Sequence, residues 1–292
     1  MSQRVALITG PTHGIGTPTA REIARAGYHL VLACRDLERG AQVRAALHGG
    51  SGGMDIELMR LDLARQASVR DFATAFTERY PRLDLLVNNA GIVGYTREVS
   101  PDGHELTFAT NHLGPFLLTN LLLPTLQATA QASRDAGGGP AVRIVNVAST
   151  AHYRGRLDFD DLDHARRPYK FMQVYSDSKL ANVLFTFALA RRLAGSGITV
   201  NCLHPGFVGS NIFPSGNAFT RMVGALIRRF ALTEERGAQT SIHLALSSVV
   251  EGTTGEYFDE FQRVKVASAE ARDEAVQERL WQESLRRTGL GA

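Results

Sequence analysis

The sequence predicts a doubly wound α/β fold, a parallel sheet with helices on both faces. Apolar runs that read as strands alternate with stretches of helical length and period. The runs are continuous rather than alternating, as strands buried on both faces require. They cover residues 5–9, 29–33, 57–61, 83–87 and 142–147, with 198–203 as a sixth and 255–258 as a short seventh. A sheet of about seven strands follows.

The expected helices cover residues 17–26, 37–47, 68–80, 111–130 and 175–193. Right-handed crossovers between parallel strands put them on both faces of the sheet. The glycine runs at 49–53 and 137–140 each fall between a helix and the next strand, so they are loops and not linkers. One domain, 1–292, is expected. Its last third is less regular: 205–217 is rich in Gly, Pro, Ser and Asn. Helices are expected at 219–230 and 233–248, then a polar tail helix over 268–287 whose charge run reads as a solvated face.

Composition excludes several classes. The chain has 292 residues, 44% hydrophobic and 21% charged, which rules out a disordered or collagen-like chain. A chain this long buries a sizeable core without disulfides or metal. The net charge is only +3, and only Lys170, Lys179 and Lys265 are lysines. The arginines are dispersed among acids, which argues against a nucleic-acid partner. Cys34 and Cys202 make no disulfide framework and fit a reduced cytoplasm. Residues 1–9 are too short for a signal peptide. The longest apolar stretch, 113–126, is broken by Pro115, Thr119, Asn120 and Pro124 and cannot span a bilayer. No His/Cys set stands at zinc spacing, so no metal is expected.

The first strand runs into Gly10-Pro11-Thr12-His13-Gly14-Ile15-Gly16 and then a helix. Such a turn lets the backbone approach a pyrophosphate, and the helix N-terminus offers free N–H groups and a positive dipole end. The second strand ends at Cys34-Arg35-Asp36. NAD sites put a carboxylate here for the ribose 2′-OH, whereas a guanidinium pairs with the 2′-phosphate of NADP. Arg35 therefore favours NADP(H) over NAD(H), with Asp36 read as the cap of the next helix. His13 either adds a polar contact to that phosphate or is a solvent-exposed loop histidine. Asp62-Leu63 and Asn88-Asn89-Ala90-Gly91 follow the third and fourth strands, at the carboxyl ends where open α/β sheets bind ligands. Asp62 suits an adenine amino group or a local turn. Asn88 suits a tie between strands.

Tyr175 and Lys179 are four residues apart. On a helix that places them on one face, about 6 Å apart along the axis. An ammonium beside a phenol favours the phenolate, and such a tyrosine exchanges a proton with a carbonyl or alcohol oxygen.

Together these residues resemble the short-chain dehydrogenase/reductase family. The glycine signature stands as Thr9-Gly10, Gly14 and Gly16, followed by Asn88–Gly91 and then by Tyr175 and Lys179. The family's catalytic Asn matches Asn111 and its catalytic Ser matches Ser149. Its Pro-Gly loop matches Pro205-Gly206, with Ser210 where Thr is common. The resemblance implies a single Rossmann domain, with 1–150 mainly the dinucleotide-binding half and 151–292 the catalytic pair, substrate loops and C-terminal helices. It implies cofactor contacts from Gly10, Thr12, His13, Gly14, Ile15, Gly16, Arg35, Asp62, Leu63, Asn89, Ala90, Gly91, Tyr175, Lys179, Pro205, Gly206, Val208 and Ser210.

Residues 32–36, 111–114, 151–152, 159–162 and 178–184 look like the retinol dehydrogenase branch. That branch implies reduction of a lipophilic carbonyl with NADPH. In the implied mechanism Ser149 binds the carbonyl oxygen and Tyr175 supplies the proton. Lys179 lowers the tyrosine pKa and holds the ribose, while Asn111 positions a water linking Lys179 to solvent. The same scaffold also serves C=C reductases, dehydratases and NADP-binding sensors. The chain begins four residues before its first strand, so no membrane anchor is expected. The 26 positions from Ser149 to Tyr175 hold a long loop. That loop points to a monomer or homodimer rather than a tetramer. Expected substrate contacts are Ile92, Val93, Tyr153, Phe207, Phe213 and Phe219.

Overall fold

The computed structural model describes residues 3–49, 55–138, 141–208 and 232–291. Eight strands form one sheet in the order β3-β2-β1-β4-β5-β6-β7-β8. They are β1 Val5–Thr9, β2 His29–Cys34, β3 Ile56–Arg60, β4 Leu85–Asn88, β5 Val142–Val147, β6 Ile198–Leu203, β7 Tyr257–Phe258 and β8 Val264–Lys265. Every pairing is parallel except β7 with β8, which is antiparallel. The strand order reverses between β1 and β4, and ligands of such sheets bind at that switch point. β1, β5 and β6 have the limits expected from sequence, because each is an apolar run buried along its whole length. β3 begins one residue early, and β4 is displaced towards Asn88.

The helices are α1 Gly16–Arg25, α2 Leu37–His48, α3 Gln66–Arg79, the single turn α4 Leu106–Phe108, α5 Gly114–Asp135, α6 Phe171–Arg192, α7 Glu234–Leu246 and α8 Glu274–Thr288. Two apolar layers sandwich the sheet. On one face Leu7, Val31, Leu86 and Ile144 pack with Phe72, Phe76, Phe116, Leu122 and Phe185 of α3, α5 and α6. On the other, Ile8, Leu32, Val87 and Leu203 pack with Ile23 of α1 and Leu244 of α7. Burying one such side chain contributes about 1.5–3 kcal/mol.

Three expectations need correction. The long helix does not begin at Asn111. A π-helical turn, Ala109–Leu113, precedes α5, and Asn111 sits inside it rather than capping the helix. The apolar pattern runs unbroken through the bulge and hides it. The tail is not simply a solvated face. It forms a 3-10 turn, Glu270–Arg272, and then α8, which buries Gln277, Leu280, Trp281 and Ser284. Trp281 lies in the core beside Phe116 and Phe185. Arg287 of α8 pairs with Asp163 at 2.7 Å and with Glu283. The strand β8 was not foreseen, since two residues carry no periodicity. The helix expected at 219–230 lies outside the described residues.

Candidate active site

The site forms at the carboxyl end of β1, where Gly10 and Gly14 turn with φ of +63° and +57°. Only glycine adopts such angles without strain. Gly16 is required for a different reason. A Cβ there would lie 2.4 Å from the Gly10 carbonyl oxygen and 2.7 Å from Asn89 Nδ2. Asn89 pins the turn by donating from Nδ2 to the carbonyls of Thr9 and Gly10, each at 2.9 Å. The Thr9 hydroxyl accepts the N–H groups of Asn89 and Ala90 at 3.1 Å. The turn therefore keeps a side-chain-free cradle at the N-terminus of α1, which fits a pyrophosphate. Ile15 and Val208 meet behind it in one apolar cluster with Val147 and Ala238.

Past β2, Asp36 caps α2, its carboxylate accepting the Arg39 N–H at 3.0 Å. That is the capping role expected of it. Arg35 is exposed beside it. One turn along α2, Arg39 donates from Nη1 to His13 Nε2 at 2.7 Å, and His13 Nδ1 lies 2.9 Å from the Thr12 hydroxyl. The sequence reading did not single out Arg39, which stands in the first turn of α2, four positions past Arg35. Asp62 turns its carboxylate on its own loop, accepting the Ala64 N–H at 3.1 Å. Asn88 ties β4 to β5, donating to Asn146 Oδ1 at 2.8 Å and to the Thr119 hydroxyl at 3.0 Å.

The expected catalytic residues come together. Lys179 is buried in α6 and donates to the Val147 carbonyl at 3.0 Å. Its Nζ lies 5.7 Å from the centre of the Tyr175 ring. A Cβ on Gly91 would stand 3.2 Å from Lys179 Nζ and 3.4 Å from Asn111 Oδ1, so all three converge. The Asn111 amide is spent on protein. It accepts the Ile92 N–H at 2.8 Å and donates to the Ile92 carbonyl at 2.9 Å and the Ser178 hydroxyl at 3.0 Å. Ser149 follows β5 and caps a 3-10 turn, Thr150–Arg154, by accepting the Ala151 N–H at 3.1 Å. The Ser149 side chain also acts on the Tyr175 phenol, favouring its ionised form.

Electrostatics departs from expectation at one point. Burial pushes Lys179 down to about 8. Burial pushes the Tyr175 phenol up, and the Ser149 side chain opposes that only in part. The expected net lowering of the phenol by Lys179 is absent, because desolvation disfavours both charged forms.

The substrate candidates scatter. Ile92 and Val93 line the loop beside Asn111 and are half-buried. The Tyr153 hydroxyl donates to the Val266 carbonyl at 2.7 Å. Phe207 is exposed and lines a cavity of about 340 Å³ with Leu232, Arg236 and Phe261. A larger cavity of about 570 Å³ lies between α6, β8 and the start of α8 and touches none of the expected site residues. Ser210, Phe213 and Phe219 lie outside the described residues.

The short chain dehydrogenase family profile matches residues 4–219. The chain belongs to that family. Over 294 residues it is 40% identical to human "Retinol dehydrogenase 13", covering 99% of this chain and 86% of that protein. Among solved structures, a putative uncharacterized protein from Mycobacterium paratuberculosis superposes with a TM-score of 0.75 at 32% identity, over 99% of this chain and 94% of that one. The actinorhodin polyketide ketoreductase with NADPH superposes with a TM-score of 0.64 at 26% identity, over 88% and 95%. The dehydrogenase is thus an oxidoreductase on a fold that binds a nicotinamide cofactor. Among the described residues no helix is long and apolar enough to cross a membrane.

Proposed function

We propose that the protein is an NADP(H)-dependent oxidoreductase that interconverts a carbonyl and an alcohol on a lipophilic small molecule. The observation that carries this is the convergence of Lys179 Nζ and Asn111 Oδ1 beside Gly91, with Lys179 5.7 Å from the centre of the Tyr175 ring on the same face of α6 and Ser149 acting on the Tyr175 phenol. Ser149 would donate to the substrate carbonyl oxygen, since the Ala151 N–H already occupies a lone pair of its hydroxyl. Tyr175 would deliver the proton to that oxygen. Its raised pKa keeps the phenol protonated at neutral pH, the form that reduction needs.

The glycine cradle, Asn89–Gly91, Asp62, Leu63, Pro205, Gly206 and Val208 would hold the cofactor, with Thr12 and Ile15 framing the turn. When bound, the nicotinamide supplies or accepts the hydride. Arg35, Arg39 and His13 would select the 2′-phosphate, two guanidiniums being a natural partner for a phosphate. Lys179 would hold the nicotinamide ribose and supply positive charge beside the phenol. Asn111 holds the Gly91–Ile92 loop, so a water between Lys179 and solvent would rest on the main chain of the π-helical turn.

A retinoid-like carbonyl is the first candidate, since a relative is named a retinol dehydrogenase and Ile92, Val93 and Phe207 are apolar. Two buried free thiols suit a reduced cytoplasm, and a monomer or homodimer is the expected state. The test is product analysis after incubation with NADPH and retinal or nonanal. An alcohol is expected. From retinal, a product with one C=C bond reduced and its carbonyl intact would assign a C=C reductase instead, and no turnover of either probe would count against a lipophilic carbonyl.

A further inference from the structure

The turn after Ser149 carries a buried group that the proton transfer does not use. His152 is 0% exposed. Its Nδ1 lies 2.8 Å from the main-chain carbonyl oxygen of Ser149. Its Nε2 lies 3.3 Å from the main-chain nitrogen of Ser268. A carbonyl only accepts and a main-chain N–H only donates. One neutral tautomer satisfies both partners, with the proton on Nδ1 and the lone pair of Nε2 facing Ser268. The ring is wedged by aromatic neighbours, Tyr153 at 4.0 Å and Tyr257 edge-on at 4.6 Å.

Tyr153 reaches the same distant segment through its bond to the Val266 carbonyl. Two consecutive side chains of the Ser149 turn thus grip residues 266–268. The Ser149 carbonyl is held twice, by His152 Nδ1–H and by the His152 main-chain N–H at 3.1 Å. Its hydroxyl is held by the Ala151 N–H. A donor must sit within a fraction of an ångström of its reacting geometry, and a displacement of about 1 Å can cost on the order of a hundredfold in rate.

We propose that His152 is the positioning residue of Ser149, anchoring the turn that carries its hydroxyl to the segment at Ser268. This rests on the reading of Ser149 as the group that binds the substrate carbonyl. The two ring nitrogens separate by substitution. In H152N the amide NH₂ takes the place of Nδ1 and keeps the bond to Ser149. In H152Q the longer side chain keeps an acceptor for Ser268 and loses the donor to Ser149.

With NADPH and retinal or nonanal, H152Q should lower kcat about tenfold while H152N stays within about threefold. The Kd for NADPH should stay within about twofold in both, because neither change touches the cradle. In a Ser149→Ala background, H152Q should cause no further loss, since the residue it positions is gone. Equal losses in H152N and H152Q would overturn the proposal. So would a full H152Q loss that persists in Ser149→Ala, because that marks a structural role. Should Ser149→Ala itself leave kcat unchanged, the parent reading of Ser149 falls and the proposal falls with it. The tautomer is read without turnover from ¹⁵N imidazole spectra at neutral pH, the His152 signals being those lost in H152N. A neutral ring protonated on Nδ1 is expected. A proton on Nε2, or an imidazolium, would overturn the hydrogen-bond scheme.

Discussion

Lys179 Nζ stands 5.7 Å from the centre of the Tyr175 ring, one helical turn along α6, and is pinned to the Val147 carbonyl at the end of β5. The helix sets the spacing and the strand sets the direction. A buried ammonium in that position carries a measurable cost. The lysine pKa falls from 10.5 to about 8 on folding. Between those values the unfolded chain binds more protons, so this group's contribution to stability rises with pH from 8 to 10.5 and the burial cost is complete below 8. The full shift corresponds to about 3 kcal/mol. Urea unfolding of the cofactor-free protein at pH 7.5 and 9.5 checks it. Wild type should gain on the order of 2 kcal/mol on Lys179→Met across that step. No relative gain would mean that Lys179 titrates as an ordinary surface lysine.

His112 predicts the opposite end of the pH range. It is fully buried one residue past Asn111, with Nε2 2.8 Å from the Ser284 hydroxyl of α8. Burial, aided by the Arg287 charge, lowers its pKa from 6.5 to about 3. A depressed histidine pKa means that the unfolded chain takes up the proton first. Stability from this group is therefore whole above pH 6.5 and lost as pH falls toward 3. At pH 5 the loss should be about 2 kcal/mol. His112→Phe should flatten the acid limb of a stability-against-pH curve by that amount, and an unchanged limb would place the titration elsewhere.

The pairing of Arg39 with His13 yields a prediction about cofactor choice. Arg35→Ala and Arg39→Ala should each weaken NADPH binding about tenfold and leave NADH binding within about twofold, read by fluorescence titration. Comparable binding of NADH and NADPH by wild type would remove the phosphate site, and the Asp36 carboxylate would then be the candidate for the ribose.

How much of this was legible in the sequence depends on where each signal resides. Val5–Thr9 and Val142–Val147 were readable to the residue because their pattern is local and buried throughout. Gly10 and Gly14 were readable because their backbone angles demand glycine, and Gly16 because no side chain fits beside the Gly10 carbonyl. Tyr175 and Lys179 were readable because a helix converts a spacing of four into proximity. The π-helical turn at Asn111 was not, since a one-residue bulge leaves the apolar pattern intact. The contact of His152 with Ser268 joins residues 116 positions apart, and no spacing rule encodes it. The docking of Trp281 and Arg287 was masked for the same reason by a polar composition.

The central claim is that Tyr175 delivers the proton to a carbonyl that Ser149 binds. Its most direct test is kcat of Tyr175→Phe with NADPH and retinal or nonanal, alongside the NADPH Kd and thermal midpoint of the same variant. The phenol oxygen is the only atom removed. The account predicts a loss of kcat of at least about a hundredfold with Kd and midpoint near wild type. Reductase activity within tenfold of wild type would contradict it.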